Sequence, residues 1–314
     1  MDVAERLVNA ARDGDARAIA RLISLIEDAD PLLPEVMRLL PSPAKTPYVV
    51  GLTGAPGVGK STTTSALIAH WRGKGARVAV LAVDPSSPFT GGALLGDRVR
   101  MQSHATDSAV FIRSMASRGQ LGGLAAATPQ AIRVLEAAGF DLVLVETVGV
   151  GQAEVDIAAA ADTTVVLFGP GMGDGVQAAK AGLLEIADIL VVNKADREGA
   201  DDAVRELRRM ISMASTRAPG EWRPPVVRAV AVAEGGVGEL VEAIEKHRGW
   251  LASSGEGGRR RLARAAHDIA VLALAMLTRD LGLRADDPRL AALAARVASG
   301  DLDVYAAARA IVSP

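Results

Sequence analysis

The glycine-rich segment between Gly54 and Ser61 most constrains what this chain can fold into. Its sequence, Gly54-Ala-Pro-Gly-Val-Gly-Lys60-Ser61, fits the pattern G-x-x-x-x-G-K-[ST]. An apolar run, Tyr48–Thr53, precedes it, and a segment with helical character, Ser61–Arg72, follows it. Glycines allow backbone N–H groups to turn toward an anion, and a helix N-terminus adds a favourable field. The segment therefore predicts a phosphate-binding loop between a strand and a helix.

The side chains of this loop have separate expected roles. Lys60 should reach the β- and γ-phosphates of a nucleotide, and Ser61 should place its hydroxyl on Mg²⁺. The alternative is a glycine-rich turn that matches by accident, which the flanking strand and helix disfavour. The predicted nucleotide-binding residues of the loop are Gly54, Ala55, Pro56, Gly57, Val58, Gly59, Lys60, Ser61 and Thr62.

A second motif, Asn193-Lys194-Ala195-Asp196, closes the apolar run Ile189–Asn193. Its final carboxylate can accept hydrogen bonds from the N1–H and 2-amino groups of guanine, which adenine does not present. A buried carboxylate left unpaired would reject adenine by roughly 10⁴-fold or more. Lys194 is expected along the base plane, and Asn193 is expected to tie the two loops together. The motif predicts guanine selectivity, and the alternative is that Asp196 caps the helix that follows.

A backbone N–H near the end of the run Val226–Ala231 is the candidate donor to guanine O6. Such a loop often has a Ser-Ala pair, whereas here Val230 precedes Ala231. Because a backbone donor does not depend on the side chain, Ala231 is retained as a candidate.

From Tyr48 onward, short apolar runs alternate with helical segments. The runs are continuous in Val, Leu and Ile, which is typical of a parallel sheet buried on both faces. Strands separated by helices imply right-handed crossovers, and ligands of such sheets bind beyond the carboxyl ends of the strands. The predicted strands are Tyr48–Thr53, Arg77–Val83, Leu142–Glu146, Thr163–Phe168, Ile189–Asn193 and Val226–Ala231.

Helical segments flank this α/β pattern. A proline-rich joint, Pro41–Pro47, ends the first, and Ser253–Gly258 is predicted to be a flexible joint before the last. We predict an N-terminal helical extension at 1–46, a P-loop GTPase domain at 47–252 and a C-terminal helical arm at 253–314. The arm is expected to dimerise, and the alternative is that it packs back on its own domain.

Composition excludes several classes of protein. The chain has 314 residues, a formal net charge of −2 and no Cys, which excludes disulfides, thiol catalysis and Cys-ligated zinc. No basic excess indicates a nucleic-acid or anionic-membrane binder. No secretory signal and no apolar stretch of bilayer length are found. We expect a cytoplasmic protein that binds neither nucleic acid nor membrane.

Three acidic residues are candidate Mg²⁺ ligands beside Ser61. Asp84 and Glu146 end predicted strands, and Asp97 lies in a glycine-rich stretch. Acids at the carboxyl ends of parallel strands face the phosphate site, and Mg²⁺ prefers oxygen ligands. The alternative for each is a helix cap or a surface charge.

Gly149, three residues after Glu146, is a candidate donor to the γ-phosphate. Many small GTPases have a Gln directly after this Gly, where it orients the attacking water. Here that position is Val150, and Gln152 lies two residues further on. The water must be positioned in another way, so slow intrinsic hydrolysis is expected.

A further glycine-rich loop, from Gly169, leads into Asp174, Gln177 and Lys180. Steps of three residues place these side chains on roughly one helical face. The alternative is a solvated helix start with a capping Asp.

Several longer strings carry a resemblance to a known family. They are Val83-Asp-Pro-Ser-Ser87, Thr90-Gly-Gly92 with Leu95-Gly-Asp-Arg98, Ser117-Arg-Gly-Gln-Leu-Gly-Gly123, Glu146-Thr-Val-Gly-Val-Gly-Gln152 and Gly173-Asp-x-x-Gln-x-x-Lys180. With these motifs the chain resembles the MeaB family, GTPases associated with methylmalonyl-CoA mutase and formerly labelled ArgK or LAO/AO transport ATPases. The resemblance runs from about residue 2 to about residue 250, with the helical tail also expected. Glu146 in place of the usual Asp separates this branch from ordinary small GTPases.

The resemblance implies a homodimeric GTPase chaperone, of EC 3.6.5 type, that binds an adenosylcobalamin-dependent acyl-CoA mutase. Its GTP cycle would gate loading of the cobalamin cofactor and protect it. The implied cofactors are GTP or GDP and Mg²⁺, with Asp84, Asp97 and Glu146 serving the ion. Gly149–Gln152 would form a second switch, and Gln177 and Lys180 would belong to a third switch linked to the partner. The implied catalytic set is Lys60, Glu146, Gly149, Gln152 and Lys180.

Other functions fit parts of the sequence. A metallochaperone GTPase would need Cys or clustered His, whereas the four His are scattered along the chain. An ATP-driven transport component is disfavoured by Asp196 and by the lack of apolar spans. A P-loop small-molecule kinase stays open, and phosphate transfer to an acceptor would distinguish it. No cobalamin-binding D-x-H-x-x-G motif is found, so the cofactor is expected to belong to the partner.

Overall fold

The structure is a computed structural model, and certain stretches of the chain are described in it. These are residues 2–41, 46–85, 101–104, 106–117, 123–147, 153–171, 177–214, 220–233, 236–282 and 287–312. Within them, the backbone alone is described at residues 84–85, 102, 116–117, 123–126, 153–156, 177–181 and 214.

Strands and helices alternate in the middle of the chain, with helices on both sides. The strands are β1 (Tyr48–Gly54), β2 (Val78–Pro85), β3 (Val110–Ser117), β4 (Leu142–Thr147), β5 (Thr163–Phe168), β6 (Ile189–Asn193) and β7 (Val226–Ala229). The helices are α1 (Val3–Arg12), α2 (Ala16–Glu27), α3 (Leu33–Leu39), α4 (Lys60–Gly73), α5 (Gly123–Ala137), α6 (Ala153–Ala160), α7 (Gln177–Ile186), α8 (Ala200–Ala214), α9 (Gly238–Ser253), α10 (Glu256–Asp280), α11 (Pro288–Ala298) and α12 (Val304–Val312).

The strands of the described part form one parallel sheet in the order β3-β2-β4-β1-β5-β6-β7. The central strand β1 pairs with β4 through Leu52 and Glu146, and with β5 through Gly54 and Leu167. Because the order runs both ways from β1, loops at the carboxyl ends of β1, β4, β5 and β6 meet at one edge. The α/β fold predicted from the sequence is confirmed, and this edge is where a ligand is expected.

The predicted strands are confirmed, with ends within two residues, but β3 was missed. Its sequence places Arg113 and Ser114 in the middle of an apolar run, at the edge of the sheet. The Arg113 guanidinium donates to Glu27 Oε2 at 2.6 Å and to Ser24 Oγ at 2.9 Å, both on α2. A charged residue inside a strand is therefore compensated by the N-terminal helices, which no local pattern reveals.

The helices α1–α3 pack on one face of the sheet and share its core. Ile19, Leu22 and Ile23 of α2 are buried in a single cluster with Val134 and Leu135 of α5 and with residues of β1–β4. The helical prediction for this part of the chain is confirmed. Its separation as a distinct extension at 1–46 stays a prediction.

The C-terminal arm begins more abruptly than predicted. The prediction of a flexible joint at Ser253–Gly258 is wrong. Helix α10 starts at Glu256, and only Ser254 and Gly255 separate it from α9. Gly255 adopts φ +75°, which allows a sharp turn, and Ser254 Oγ accepts the N–H of Glu256 at 3.2 Å. Among the described helices, none combines the length and apolar character that crossing a membrane requires.

Candidate functional site

The loop between β1 and α4 depends on two glycines in close contact with neighbouring strands. Gly54 has φ +138° and Gly59 has φ +95°, which residues with a side chain rarely adopt. A Cβ at Gly54 would lie 2.2 Å from the Leu167 carbonyl oxygen, and one at Gly59 would lie 2.3 Å from Asn193 Nδ2. The loop is therefore packed against the end of β5 and the end of β6 at once.

Lys60 and Ser61 open helix α4 and are both buried. The Lys60 ammonium donates to the carbonyl oxygens of Gly54 at 2.7 Å and Ala55 at 3.0 Å. This holds a positive charge within the loop, beside backbone N–H groups at a helix N-terminus. Such an arrangement is suited to an anion with several negative oxygens.

The carboxylate of Glu146, at the end of β4, is buried and held by hydroxyl groups. Ser61 Oγ donates to Oε1 and Thr64 Oγ1 donates to Oε2, each at 2.7 Å. The next residue, Thr147, donates its hydroxyl to Thr53 at 3.0 Å, directly before the loop. The end of β4 is thus joined by two side-chain hydrogen bonds to α4 and by a third to the end of β1.

The donor set around Ser61 and Glu146 fits Mg²⁺ in its chemistry. A hydroxyl and a carboxylate, 2.7 Å apart at the end of a parallel strand, supply the hard oxygen ligands that this ion prefers. Asp84 lies at the end of β2, but its side chain is outside the described residues, as is Asp97 altogether. In the described part, no three His, Asp or Glu residues cluster as a metal site.

Asn193 joins the base-recognition motif to the phosphate-binding loop. Its Nδ2 donates to the Val58 carbonyl at 2.8 Å, and its Oδ1 accepts the N–H of Ala231 at 3.2 Å. Lys194, at φ +56°, donates from Nζ to the Gly57 carbonyl at 2.8 Å. The three loops at this edge are therefore fixed relative to one another through one amide side chain and one ammonium group.

The structure also locates Asp196 and Ala231. Asp196 is exposed, and α8 begins only at Ala200, so the alternative that Asp196 caps this helix is not observed. The N–H of Ala231 is engaged by Asn193, so its donation to guanine O6 stays a prediction.

An open groove of about 340 Å³ lies between these loops. It is lined by Pro56, Gly57, Val58, Gly169, Pro170, Gly171, Lys194, Arg197 and Glu198. Sequence analysis missed Arg197 and Glu198, whose only signal is that they directly follow Asp196. It also missed Thr64, whose signal is its spacing of three residues from Ser61 on one helix.

Some predicted residues are not placed. Gly149, Val150 and Gln152 lie outside the described residues. Gln177 and Lys180 begin α7, but only their backbone is described. Their roles remain predictions.

A parallel sheet whose central strand enters a G-x-x-x-x-G-K-S loop, tied by Asn193 to an N-K-x-D motif, defines a P-loop GTPase. The chain belongs to the MeaB family, since residues 19–282 match the family described as methylmalonyl Co-A mutase-associated GTPase MeaB. It is therefore a GTP hydrolase that binds guanine nucleotides.

Relatives agree with this assignment. The chain is 47% identical to a protein of Pyrococcus abyssi named as a GTPase. The match runs over 310 residues and covers 98% of this chain and 95% of that protein. It is 39% identical over 252 residues to GTPase ArgK of Escherichia coli, covering 78% and 76%. It is 32% identical over 274 residues to the methylmalonic aciduria type A homolog, mitochondrial, of Caenorhabditis elegans, covering 82% and 69%.

A solved structure described as LAO/AO transport system kinase has the same fold. Its TM-score with this chain is 0.72 at 25% sequence identity, covering 99% of this chain and 97% of that one.

Proposed function

We propose that this GTPase is a chaperone of an adenosylcobalamin-dependent acyl-CoA mutase of the methylmalonyl-CoA mutase type. Its GTP cycle gates loading of the cobalamin cofactor and protects the loaded mutase. The observation that carries the proposal is the match of residues 19–282 to a family described by its association with that mutase. The name of the Caenorhabditis elegans relative, which refers to methylmalonic aciduria, supports it.

The residues at the nucleotide edge have distinct roles in this cycle. Lys60 supplies positive charge to the β- and γ-phosphates, and Asp196 selects guanine. When bound, Mg²⁺ would be held by Ser61 and Glu146, with Asp84 and Asp97 as further ligands, and would neutralise phosphate charge. Val150 stands where many GTPases have a water-orienting Gln, so intrinsic hydrolysis is slow and the partner accelerates it.

A homodimer formed through the C-terminal arm is part of the proposal. Leu262, Ile269 and Met276 recur every seven residues along α10, which places them on one helical face, and they are 75%, 70% and 46% exposed. An apolar stripe of this spacing is typical of a helix that pairs with another helix. In a single copy of the chain these side chains face water, which supports their burial against a second copy.

The experiment is a GTPase assay with a candidate mutase purified from the same organism. Release of free phosphate is measured for the chain alone and with saturating mutase. We expect the mutase to raise the rate at least about tenfold, since a partner that supplies transition-state contacts can accelerate hydrolysis by about 10³-fold or more. Lys60→Ala, which removes the phosphate-binding ammonium, should show no rate in either case.

Two outcomes would contradict the proposal. An unchanged rate with a saturating cognate mutase would remove the mutase as the partner. Transfer of the γ-phosphate to an added acceptor, without free phosphate, would indicate a small-molecule kinase instead.

A further inference from the structure

We propose that Thr64 is a positioning residue for the carboxylate of Glu146, and through it for the Mg²⁺ that the phosphates require. The inference rests on the proposed role of Glu146 toward the ion. Thr64 itself lies outside the G-x-x-x-x-G-K-S pattern, and nothing in that motif calls for a hydroxyl at its position.

Two hydroxyls of one helix hold the two oxygens of this carboxylate. Ser61 and Thr64 are three residues apart on α4, so their side chains lie on the same face. Each donates to a different oxygen of Glu146 at 2.7 Å. Two bonds to two different oxygens fix the plane of the carboxylate.

The Thr64 hydroxyl has a choice of acceptor, and distance decides it. Glu146 Oε2 lies at 2.7 Å and the Lys60 carbonyl oxygen at 3.1 Å. A hydroxyl carries one hydrogen, and bonds to a charged acceptor are shorter and about twice as strong as neutral ones. The hydrogen is therefore assigned to the carboxylate.

Thr64 is suited to this role because it lies deeper than Ser61. Its side chain is fully buried in the second turn of α4, between the P-loop and the end of β4. Ser61 is expected to direct its oxygen toward the ion, so its orientation depends on whether the ion is bound. Thr64 has no such second task, and its bond holds Glu146 in place in both states.

The length of Glu146 fits the same arrangement. Glu is one methylene longer than the Asp usual at this position of small GTPases, so its carboxylate reaches a second turn of the helix. The length of Glu146 thus matches the position of Thr64 in this chain.

The test measures how Mg²⁺ slows the release of a fluorescent GDP analogue, with the same release in EDTA as the ion-free reference. Thr64→Val keeps the shape of the side chain and removes the donor. We expect its half-saturating Mg²⁺ concentration to rise about tenfold, as for other partners that orient a metal ligand. Release in EDTA should change less than about twofold. Thr64→Ser, which restores a hydroxyl, should recover most of the Mg²⁺ response.

Thr63→Val is the matched control. It removes the neighbouring buried hydroxyl, which donates to the Gly59 carbonyl at 3.0 Å rather than to a carboxylate. Its half-saturating Mg²⁺ concentration should stay within about twofold of the unmodified chain.

Glu146→Gln separates failure of this inference from failure of the proposed Mg²⁺ role. If Glu146→Gln leaves the Mg²⁺ response unchanged, the role of Glu146 itself is wrong. If Glu146→Gln weakens the response but Thr64→Val does not, or if Thr64→Ser behaves like Thr64→Val, the positioning role of Thr64 is wrong. Equal weakening of GDP binding by Thr64→Val in EDTA and in Mg²⁺ would also overturn it, because the hydroxyl would then act on the fold alone.

Discussion

Arg260 of α10 binds both carboxylate oxygens of Asp188, which directly precedes β6. Its Nη1 lies 3.1 Å from Oδ2, and its Nη2 lies 3.0 Å from Oδ1. Asp188 is buried and also accepts the N–H of Thr164, at the start of β5, at 2.9 Å. Arg264, one turn further along α10, donates to Asp162 Oδ1 at 3.1 Å. The arm is therefore anchored at the amino ends of the strands, opposite the nucleotide edge.

Replacement of Arg260 by Ala should destabilise the fold. It leaves the buried Asp188 carboxylate without its compensating charge, which for a fully buried pair lowers the free energy of unfolding by about 3–5 kcal/mol. Because the Arg260 side chain is 33% exposed, we expect a smaller loss. That loss is about 2 kcal/mol after allowance for solvent screening. Urea unfolding followed by circular dichroism measures it.

Arg259→Ala is the control for that variant. Arg259 pairs with Glu256 but is 76% exposed. Its removal should lower the free energy of unfolding by less than about 1 kcal/mol. Equal losses for the two variants would show that the Arg260 pair with Asp188 does not hold the arm.

Stability should fall as the solution is acidified, partly through His247. Burial lowers the pKa of this imidazole to about 4, with nearby Asp188 opposing and Arg260 adding to the effect. In the unfolded chain a His binds a proton below about pH 6.5. Between these two values only the unfolded state is protonated, so stability is fully present above about pH 6.5 and is lost as the pH falls toward 4.

Urea unfolding at several pH values tests the role of His247. From the shifted pKa, we expect His247 to contribute a loss of about 2 kcal/mol between roughly pH 7 and pH 5. His247→Phe keeps a ring beside Trp222 and Trp250, whose centroids lie 4.7 and 5.5 Å from the imidazole, but it cannot titrate. The variant should be less sensitive to pH by that amount. Parallel pH profiles of the two proteins would refute the assignment.

Gly59→Ala should weaken nucleotide binding without unfolding the chain. The added Cβ would lie 2.3 Å from Asn193 Nδ2. The Asn193 side chain would have to move, which would break the Nδ2 bond to the Val58 carbonyl and the bond from the Ala231 N–H to Oδ1. Gly57→Ala is the comparison, since its Cβ meets nothing within 4 Å and only the positive φ is strained. We expect affinity for a fluorescent GDP analogue to fall at least about tenfold more for Gly59→Ala than for Gly57→Ala. Both variants carry the backbone strain of a positive φ, but only Gly59→Ala also breaks hydrogen bonds, worth about 1 kcal/mol each. Similar affinities would show that Asn193 can move at little cost.

Asp196→Asn should change which base the site selects. The Asn amide N–H can donate to the 2-carbonyl oxygen of xanthine. Guanine has a 2-amino group at that position, so two donors would face each other. We expect GTP affinity to fall and XTP affinity to rise, so that their ratio inverts, as measured by competition against a fluorescent nucleotide. Unchanged selectivity for GTP would remove Asp196 from base recognition.

Ile269→Asp should disrupt the proposed dimer. It introduces a charge into the stripe of α10, where a paired helix would bury it without a partner. Sedimentation velocity should show the monomer for this variant and a dimer for the unmodified chain. Ala270→Asp, one residue off the stripe and also exposed, should leave the dimer intact. A monomer for the unmodified chain at micromolar concentration would contradict the dimer itself.

The nucleotide edge could be predicted from sequence because its parts are local. Gly54 to Ser61 and Asn193 to Asp196 are short strings with fixed backbone roles, each next to a buried strand. The partners of Arg113 and Asp188 could not be predicted, because each ion pair joins residues 86 or 72 positions apart. The same holds for Thr64, which contacts Glu146 at a separation of 82 residues. Only the tertiary packing of helices and strands brings such pairs together.

The absence of a side chain at Gly59 has a consequence for engineering this protein. Asn193 occupies the space beside that glycine and there joins the base-recognition loop to the phosphate-binding loop. A base-recognition loop grafted from another protein must therefore have Asn at the position of Asn193. Without it, a cavity would remain beside the phosphate-binding loop. Exchange of the whole base-recognition loop would therefore also affect phosphate binding, because Asn193 belongs to that loop and contacts the phosphate-binding loop.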